Sequence, residues 1–168
     1  MNSIAHIIHP VMVKPPSDLI IAQPVTCESM KIAREFAKGT VDVTLLAIQY
    51  HDENRIPLPG CFIRVPDIKR SVADIKELKE KRKLALIKDI LDRLYENCKA
   101  DYLIYTNVDI ALQPFFYQAV SKIIKKGGYD AFVINRRSIP SIYSRLDEIP
   151  MMWAEVGKKH PGFDCFVF

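Results

Sequence analysis

The segment Asp101-Tyr-Leu-Ile-Tyr-Thr-Asn-Val-Asp-Ile110 decides the fold, because an apolar run ends in two polar side chains that bracket a valine. The run Tyr102–Tyr105 is typical of a strand that is buried on both faces of a parallel sheet. The carboxyl ends of such strands open onto the crevice where ligands of open α/β sheets bind. Residues two apart point to the same side of extended backbone, so Asn107 and Asp109 are predicted to share one ligand there.

Asn107 and Asp109 carry hard oxygen atoms that suit Mg²⁺ or Mn²⁺, ions that usually also bind a substrate phosphate. They are therefore the candidate metal ligands. Alternatively, Asp109 only caps the helix that the following residues predict. That helix has Pro114 near its start, apolar residues at helical spacing from Phe116, and the pair Gly127-Gly128 at its end.

Strands and helices are predicted to alternate along the chain, which places it in the α/β class, with a mostly parallel central sheet and helices on both faces. At 168 residues the chain is expected to form a single domain, residues 1–168. The predicted elements besides the strand and helix above are a strand Ile4–Ile8, a helix from about Thr26 to Gly39, a strand Val41–Tyr50, a short strand Cys61–Val65, a helix from about Lys76 to Asn97, and strands Tyr129–Ile134 and Phe163–Phe168.

The composition, with 49% hydrophobic and 26% charged residues, is that of an ordinary globular protein. The net charge of +4 is mild and the basic residues are mostly interleaved with acids, so no nucleic-acid partner is predicted. The four cysteines are widely spaced and are expected to be buried thiols in a reducing cytosol. No run reaches the length of a membrane span and the N-terminus is a poor signal peptide, so we expect a cytoplasmic protein with no integral membrane segment.

The predicted strand Tyr129–Ile134 is followed by Asn135, Arg136 and Arg137. Two arginines at the carboxyl end of a buried strand can clamp an anion, because the guanidinium fork matches phosphate oxygens and does not lose its charge. Alternatively, the arginines form surface salt bridges with Asp147 or Glu148.

Arg82 and Lys83 lie in a charged stretch, Lys76–Lys83, at the start of the predicted second long helix. Either side chain is a candidate to bind a phosphate. Alternatively, the stretch is a solvated helix face held by ion pairs between successive turns.

Asp164 stands between a glycine-containing turn and a final apolar strand. A carboxylate at that place can act as a general base if it faces the same crevice as Asp109. His160 is the second candidate catalytic residue, because the usual pKa of histidine is already near neutrality. For both residues, turn chemistry or a local hydrogen bond is the alternative.

Glycine motifs that bind phosphates are absent from the sequence. There is no Gly-x-x-x-x-Gly-Lys-Ser/Thr loop and no Gly-x-Gly-x-x-Gly after the first strand, and the whole chain has only six glycines. A nucleotide ligand must therefore be held in another way.

The order of the predicted strands, helices and motifs resembles that of the nucleotide-diphospho-sugar transferases, which have the GT-A glycosyltransferase fold. In that family a first β-α-β unit receives the nucleoside, and a central apolar strand ends in an Asp-x-Asp motif that binds Mn²⁺ or Mg²⁺ and the diphosphate of the sugar nucleotide. Asn107-Val-Asp109 stands at this motif, with Asn107 in place of the first carboxylate. The family also has an acidic residue after a glycine-containing loop that binds or deprotonates the acceptor hydroxyl, and Gly162-Phe-Asp164 is similar in kind.

The resemblance implies a metal-assisted transfer of a sugar from a nucleoside diphosphate sugar to an unknown acceptor. GT-A domains usually continue past the acceptor-side carboxylate, whereas this chain stops at Phe168, so we expect a truncated form, a natural fragment or a disordered remainder. That ending and Asn107 both favour an alternative, a non-catalytic or regulatory module that binds a nucleotide sugar or a protein partner. A nucleotidyltransferase is a third hypothesis, but the segment after the first strand lacks the glycines of its usual loop.

Overall fold

The computed structural model describes residues 1–79 and 82–168 of the chain. In these two ranges the β-strands are β1 (Ser3–Ile8), β2 (Asp42–Ala47), β3 (Phe62–Arg64), β4 (Tyr102–Thr106), β5 (Phe132–Ile134), β6 (Arg137–Ser138), β7 (Lys158–Lys159) and β8 (Cys165–Val167). The α-helices are α1 (Leu19–Ala37), α2 (Ile87–Glu96), α3 (Phe116–Gly127) and α4 (Ile149–Ala154), and short 3₁₀-helices span Val72–Asp74 and Leu146–Glu148.

Six of the strands found in this part of the chain form one sheet in the order β3-β2-β1-β4-β8-β5. The strands β3, β2, β1 and β4 are parallel, and Ile4 of β1 lies between Val43 of β2 and Tyr102 of β4. The strand β8 is antiparallel to its neighbours β4 and β5. The predicted α/β class with a mostly parallel central sheet is therefore confirmed, and β8 is a departure from parallel order. The strands β6 and β7 form a separate antiparallel ribbon.

Helices cover both faces of the sheet. Met30 of α1 and Val120 of α3 belong to the same buried cluster as Ile4 of β1, on one face. Leu94 of α2 belongs to a second buried cluster with Ile7 of β1, on the other face. Successive side chains of a strand alternate between the faces, so the apolar run of β1 supplies both clusters.

The side chain of His6 on β1 is polar and fully buried between the sheet and α3. Its Nδ1 lies 2.9 Å from the hydroxyl of Tyr117, and its Nε2 lies 2.8 Å from Oγ1 of Thr106. Burial lowers the pKa of His6 to about 3, so the ring is neutral in the folded protein. These contacts join β1, α3 and the end of β4, where the polar segment begins.

The first helix begins at Leu19, so the predicted start near Thr26 is wrong. The hydroxyl of Thr26 does not cap the helix; it donates to the carbonyls of Ala22 and Val108. Pro24 is the sixth residue of the helix, past the first turn, so the helix lacks one backbone hydrogen bond at this position. Val25, in the helical turns before Thr26, packs in one buried cluster with Met152. The local sequence pattern does not predict this tertiary contact.

The second long helix begins at Ile87, so the predicted start near Lys76 is wrong. The chain instead turns at Ser71, whose backbone N–H donates to Asp74 at 2.6 Å, and then pairs with itself. The N–H of Val72 donates to the carbonyl of Leu84 at 2.8 Å, and Ser71 and Ala85 form an isolated antiparallel bridge. These backbone hydrogen bonds replace those of the expected helix. Residues 80 and 81 of the predicted helix lie outside the described residues.

The helix predicted after Pro114 is confirmed as α3, with Gly128 in the left-handed conformation at its end. The short strand predicted at Cys61–Val65 is confirmed as β3. The strands predicted at Val41–Tyr50, Tyr129–Ile134 and Phe163–Phe168 exist but are shorter, as β2, β5 and β8. For residues 1–79 and 82–168, every helix falls short of the length and apolarity that crossing a bilayer requires.

Candidate functional site

Three chain segments meet at one edge of the sheet, beside the carboxyl end of β4. Asn107 and Asp109 follow β4, and Arg136 follows β5, which is parallel to β4. Because β8 is antiparallel to both, the residue before its first residue, Asp164, lies at that same edge. The antiparallel placement of β8 therefore brings the carboxylate of Asp164 to the polar residues that follow β4.

Arg136 joins the two acids of this site. Its Nη1 forms a close ion pair with Oδ2 of Asp109, and its Nε lies 3.1 Å from Oδ2 of Asp164. The side chain of Asp164 is 9% exposed, whereas that of Asp109 is 32% exposed. A buried carboxylate needs a partner of opposite charge, so Arg136 compensates Asp164 inside the protein and contacts Asp109 at the rim.

Asn107 is held by the backbone and the side chain of Asp164. Its side-chain amide donates to Oδ1 of Asp164 at 3.0 Å, and its backbone N–H donates to the carbonyl of Asp164 at 3.3 Å. Its own Oδ1 accepts a hydrogen bond from the hydroxyl of Tyr105 at 3.3 Å. An aspartate at position 107 lacks the donor and would repel Asp164, so the asparagine of Asn-Val-Asp has a local electrostatic reason.

His160 lies on the other side of Arg136. Its Nε2 is 3.2 Å from Nη2 of Arg136, and its Nδ1 is 3.2 Å from Oγ of Ser138. A guanidinium only donates, so Nε2 accepts and the ring hydrogen is on Nδ1, which donates to Ser138. The same Nε2 lies 3.8 Å from Oδ2 of Asp164.

The turn that delivers Asp164 is tight around Gly162. A Cβ atom on Gly162 would lie 3.0 Å from Nε2 of His160 and 3.4 Å from Oδ2 of Asp164. A larger residue would therefore press on the two predicted catalytic side chains. The glycine of Gly162-Phe-Asp164 has a steric function in the site.

The charge of the acids affects neighbouring groups. Burial raises the pKa of the Tyr105 hydroxyl, and the charges of Asp109 and Asp164 raise it further. Burial, with a smaller contribution from Asp164, raises the pKa of the Cys165 thiol to about 12. Both groups therefore stay protonated, and Tyr105 remains a hydrogen-bond donor to Asn107.

The remaining predicted residues lie elsewhere. Arg137 donates to the backbone carbonyls of Val156 and Gly157, which fastens the ribbon of β6 and β7. Lys83 contacts the segment after β2: its Nζ is 2.7 Å from Asp52, 3.4 Å from Glu53 and 4.2 Å from the centre of the Tyr50 ring. Arg82 is exposed, and its backbone carbonyl accepts a hydrogen bond from Leu84.

Two of the alternative interpretations are wrong. Asp109 does not cap the next helix, because the residue at the N-cap of α3 is Phe115. Asp147 and Glu148 do not pair with the arginines that follow β5. Asp147 pairs with Arg145, and Glu148 accepts the backbone N–H groups of Ser144 and Arg145.

A cavity of about 700 Å³ lies beside the charged cluster and was not predicted. Asp109 and Arg136 form part of its wall, together with apolar side chains from α1, α3 and α4. The only signal in the sequence is weak: Trp153 is the single tryptophan. In the structure, the apolar side chains of Ile21 and Ile123 are 40% exposed on their helices. Their exposure is explained by the cavity, which they line.

A second polar group lies at the carboxyl ends of β1 and β2. Within residues 1–79 and 82–168, three buried atoms there lack a hydrogen-bond partner: Nε2 of His9, the hydroxyl of Tyr50 and Oε2 of Glu53. The rings of His9 and Tyr50 meet edge to face at 5.2 Å. Burial, aided by the charge of Lys83, lowers the pKa of His9 to about 4. Buried polar atoms of this kind are uncommon in a protein interior and usually bind a water molecule, an ion or a ligand.

The fit of a divalent cation to the site is poor in this arrangement. The carboxylate of Asp109 is paired with Arg136, and the amide oxygen of Asn107 accepts from Tyr105. No three His, Cys, Asp or Glu side chains of the described ranges are close enough to hold a metal ion. The guanidinium of Arg136, not a metal ion, joins the two acids. Binding of Mn²⁺ or Mg²⁺ by Asp109 and Asn107 stays a prediction that requires Arg136 to move.

Fold and site together define an α/β protein with a charged crevice at the carboxyl edge of its parallel strands. No protein-family model matches the chain, and a search of curated proteins finds no match.

Proposed function

We propose that this chain binds a nucleoside diphosphate sugar in the crevice and transfers the sugar to an acceptor, as a glycosyltransferase-like protein. One observation carries the proposal: five residues that the sequence singled out meet in one cluster beside a cavity. They are Asn107, Asp109, Arg136, His160 and Asp164. The mostly parallel sheet and the place of Asp109 after its central strand agree with the resemblance to the GT-A fold.

In the proposed reaction, the hydroxyl oxygen of the acceptor bonds to the anomeric carbon of the sugar. The bond from that carbon to the diphosphate oxygen breaks, and its electron pair leaves with the diphosphate. The hydroxyl proton goes to the carboxylate of Asp164 as general base. A guanidinium beside the departing diphosphate stabilises the charge that develops there, and Arg136 is the nearest arginine to both acids.

Arg136 must leave Asp164 before that carboxylate can accept a proton. The diphosphate provides the reason for the movement, because it offers the guanidinium a doubly charged partner in place of a single carboxylate. The same movement brings the positive charge to the leaving group and releases the base. Asp164 keeps the amide of Asn107 as a donor during this exchange.

The nucleoside is assigned to the ends of β1 and β2, in line with the family resemblance. His9, Tyr50 and Glu53 each hold a buried polar atom without a partner in the described part of the chain. A base and a ribose present donors and acceptors that such atoms can use. Lys83 lies over the Tyr50 ring and stays a candidate for contact with a phosphate.

A second candidate function is a non-catalytic module that binds a nucleotide sugar. The observation in its favour is the ion pairing of Arg136 with both Asp109 and Asp164, which leaves the base engaged. In this case the cluster would hold the ligand without turnover.

Calorimetric titration with UDP, GDP and their sugars, with and without Mn²⁺, tests the proposal. We expect binding to the intact protein that is lost in Asp109→Ala and kept in Asp147→Ala, a matched change at an exposed ion pair. If binding requires Mn²⁺, the metal prediction is supported. If binding occurs without Mn²⁺, recognition of the diphosphate by arginine is supported. Failure of every sugar nucleotide to bind would overturn the proposed function.

Release of free sugar from the bound donor then separates an enzyme from a binding module. We expect release by the intact protein and none by Asp164→Asn, which keeps the shape of the side chain but cannot take up the proton. Binding without release in both proteins would favour the non-catalytic module.

A further inference from the structure

The cavity beside the charged cluster has the size of a small-molecule site. Its volume is about 700 Å³, within the range of about 300–1,000 Å³ that is usual for ligand pockets. Ile21 and Ala22 of α1, Ala119 and Ile123 of α3, and Trp153 of α4 contribute to its wall. Asp109 and Arg136 also line the cavity, so a molecule bound there contacts the charged cluster.

Several polar groups of the wall are already satisfied by the protein. Nε1 of Trp153 donates to the carbonyl of Leu112 at 2.8 Å, and the hydroxyl of Tyr143 donates to Glu155. The side-chain amide of Gln113 donates to the carbonyl of Trp153 at 3.3 Å. Because these groups are engaged, the rings and aliphatic chains remain as the contact surface, and they favour an apolar molecule.

The charge of the wall disfavours an anionic ligand. Among its described lining residues, three carboxylates outnumber two guanidinium groups: Asp18, Asp109 and Glu155 against Arg136 and Arg137. The guanidinium of Arg136 is also shared with Asp164 behind the wall. The carboxylate of an anionic amphiphile would be repelled by these acids, whereas an uncharged hydroxyl can donate a hydrogen bond to Asp109 without repulsion.

We propose that the cavity binds an uncharged alcohol with an apolar body, whose hydroxyl lies at Asp109 and Arg136. The role of this molecule as the acceptor rests on the proposed function, in which Arg136 moves to the diphosphate and the hydroxyl then passes from Asp109 to the carboxylate of Asp164. Its binding does not, because the cavity walls and the hydroxyl contacts require neither a sugar nucleotide nor a metal. The inference thus names a substrate class for the acceptor side of the same site.

The fluorescence of Trp153 reports on the cavity directly, because it is the only tryptophan of the chain and lines the wall. Octanol, added without nucleotide or metal, should change the fluorescence of Trp153 until the change saturates with increasing octanol concentration. Octanoate, which has the same length and an anionic head, should bind at least about tenfold more weakly. Equal or tighter binding of octanoate, or no saturable change with octanol, would overturn the inference.

Filling the cavity supplies the second arm of the test. Ala119→Phe places a ring into the cavity from α3, and Ala22→Phe does so from α1, so that one variant remains if the other fails to fold. Either change should weaken octanol binding at least about tenfold. The matched control is Ala131→Phe, an exposed position outside the cavity, which should bind as the unchanged protein does. Equal binding by the cavity variants and the control would overturn the assignment of the site.

The outcomes separate this inference from the proposed function. Octanol binding with no binding of UDP, GDP or their sugars would uphold the cavity and reject the transferase. Binding of a sugar nucleotide with no binding of octanol would reject the uncharged alcohol and leave the transferase standing.

Discussion

The side-chain amide of Asn107 donates a hydrogen bond to Oδ1 of Asp164 at 3.0 Å. The bond joins the segment after the central strand to the residue before β8, and it places a donor where the Asp-x-Asp motif has a carboxylate. The identity of residue 107 therefore controls the charge of the cluster.

Asn107→Asp should lower the free energy of unfolding by about 1–3 kcal/mol, because Asp164 loses a donor and gains a negative neighbour. The same change should create a site for Mn²⁺, since a third carboxylate joins Asp109 and Asp164. Urea unfolding with and without Mn²⁺ measures both effects. Asn107→Ala removes the donor without adding charge and is the control. Stabilisation of Asn107→Ala by Mn²⁺ to the same degree would contradict the interpretation.

Arg136→Met should destabilise the protein by about 3–5 kcal/mol, because Asp164 would remain buried without its ion-pair partner. Asp164→Asn introduced together with Arg136→Met should recover part of this loss. Arg145→Met, at an exposed pair with Asp147, should cost less than about 1 kcal/mol. Denaturant unfolding compares the variants. Equal losses for Arg136→Met and Arg145→Met would show that the buried ion pair is not important for stability.

Stability should fall as the pH decreases below about 6.5, because His6 and His9 are folded in their neutral form. Burial lowers their pKa values from 6.5 to about 3 and about 4, so the unfolded chain binds protons that the folded chain does not. Their full contribution is present above the unfolded pKa of 6.5 and is lost progressively toward the folded pKa values. Each histidine should cost about 1.4 kcal/mol per pH unit in this window.

Urea unfolding at about pH 7 and about pH 5 measures this dependence. His6→Gln should weaken the dependence on pH, because one of the two neutral histidines is removed. An unchanged slope in that variant would contradict the assignment to His6.

Gly157→Ala should destabilise the protein by about 2 kcal/mol or more, since the position combines a left-handed backbone with close packing. Gly157 has φ of 62°, and a Cβ atom would lie 2.8 Å from the backbone carbonyl oxygen of Ser138. The control is Gly60→Ala, because the space around Gly60 is open within 4 Å in the described structure. Thermal unfolding of the two variants should separate clearly, and equal midpoints would argue against a special function of Gly157 in the ribbon of β6 and β7.

The sequence predicted the central part of the fold well, because local patterns carry it. The apolar runs of β1, β2 and β4 alternate with helices. This pattern is typical of parallel strands that are buried on both faces of a sheet. The capping glycine after α3 marked the end of that helix. The starts of α1 and α2 were wrong because distant contacts decide them: Val25 packs on Met152, and Ser71 pairs with Ala85.

The candidate residues of the site were identified by their position after strands, but their partners were not. That Arg136 contacts both Asp109 and Asp164 depends on the antiparallel placement of β8, which no local pattern specifies. The cavity also went unpredicted, because its wall combines residues from α1, α3 and α4 that are far apart in sequence. Residue type and spacing indicate which chemistry a side chain can perform. Which side chains meet in one site depends on the tertiary structure.

The position of β8 between β4 and β5 couples folding to function. The edge strand β5 pairs with β8, and the carboxylate of Asp164 reaches the crevice as β8 joins the sheet. Without β8 in the sheet, the parallel strands β1, β2 and β4 would lack the carboxylate of Asp164 at their crevice. A ligand that requires Asp164 binds only the state in which β8 lies in the sheet, and it therefore stabilises that state by mass action.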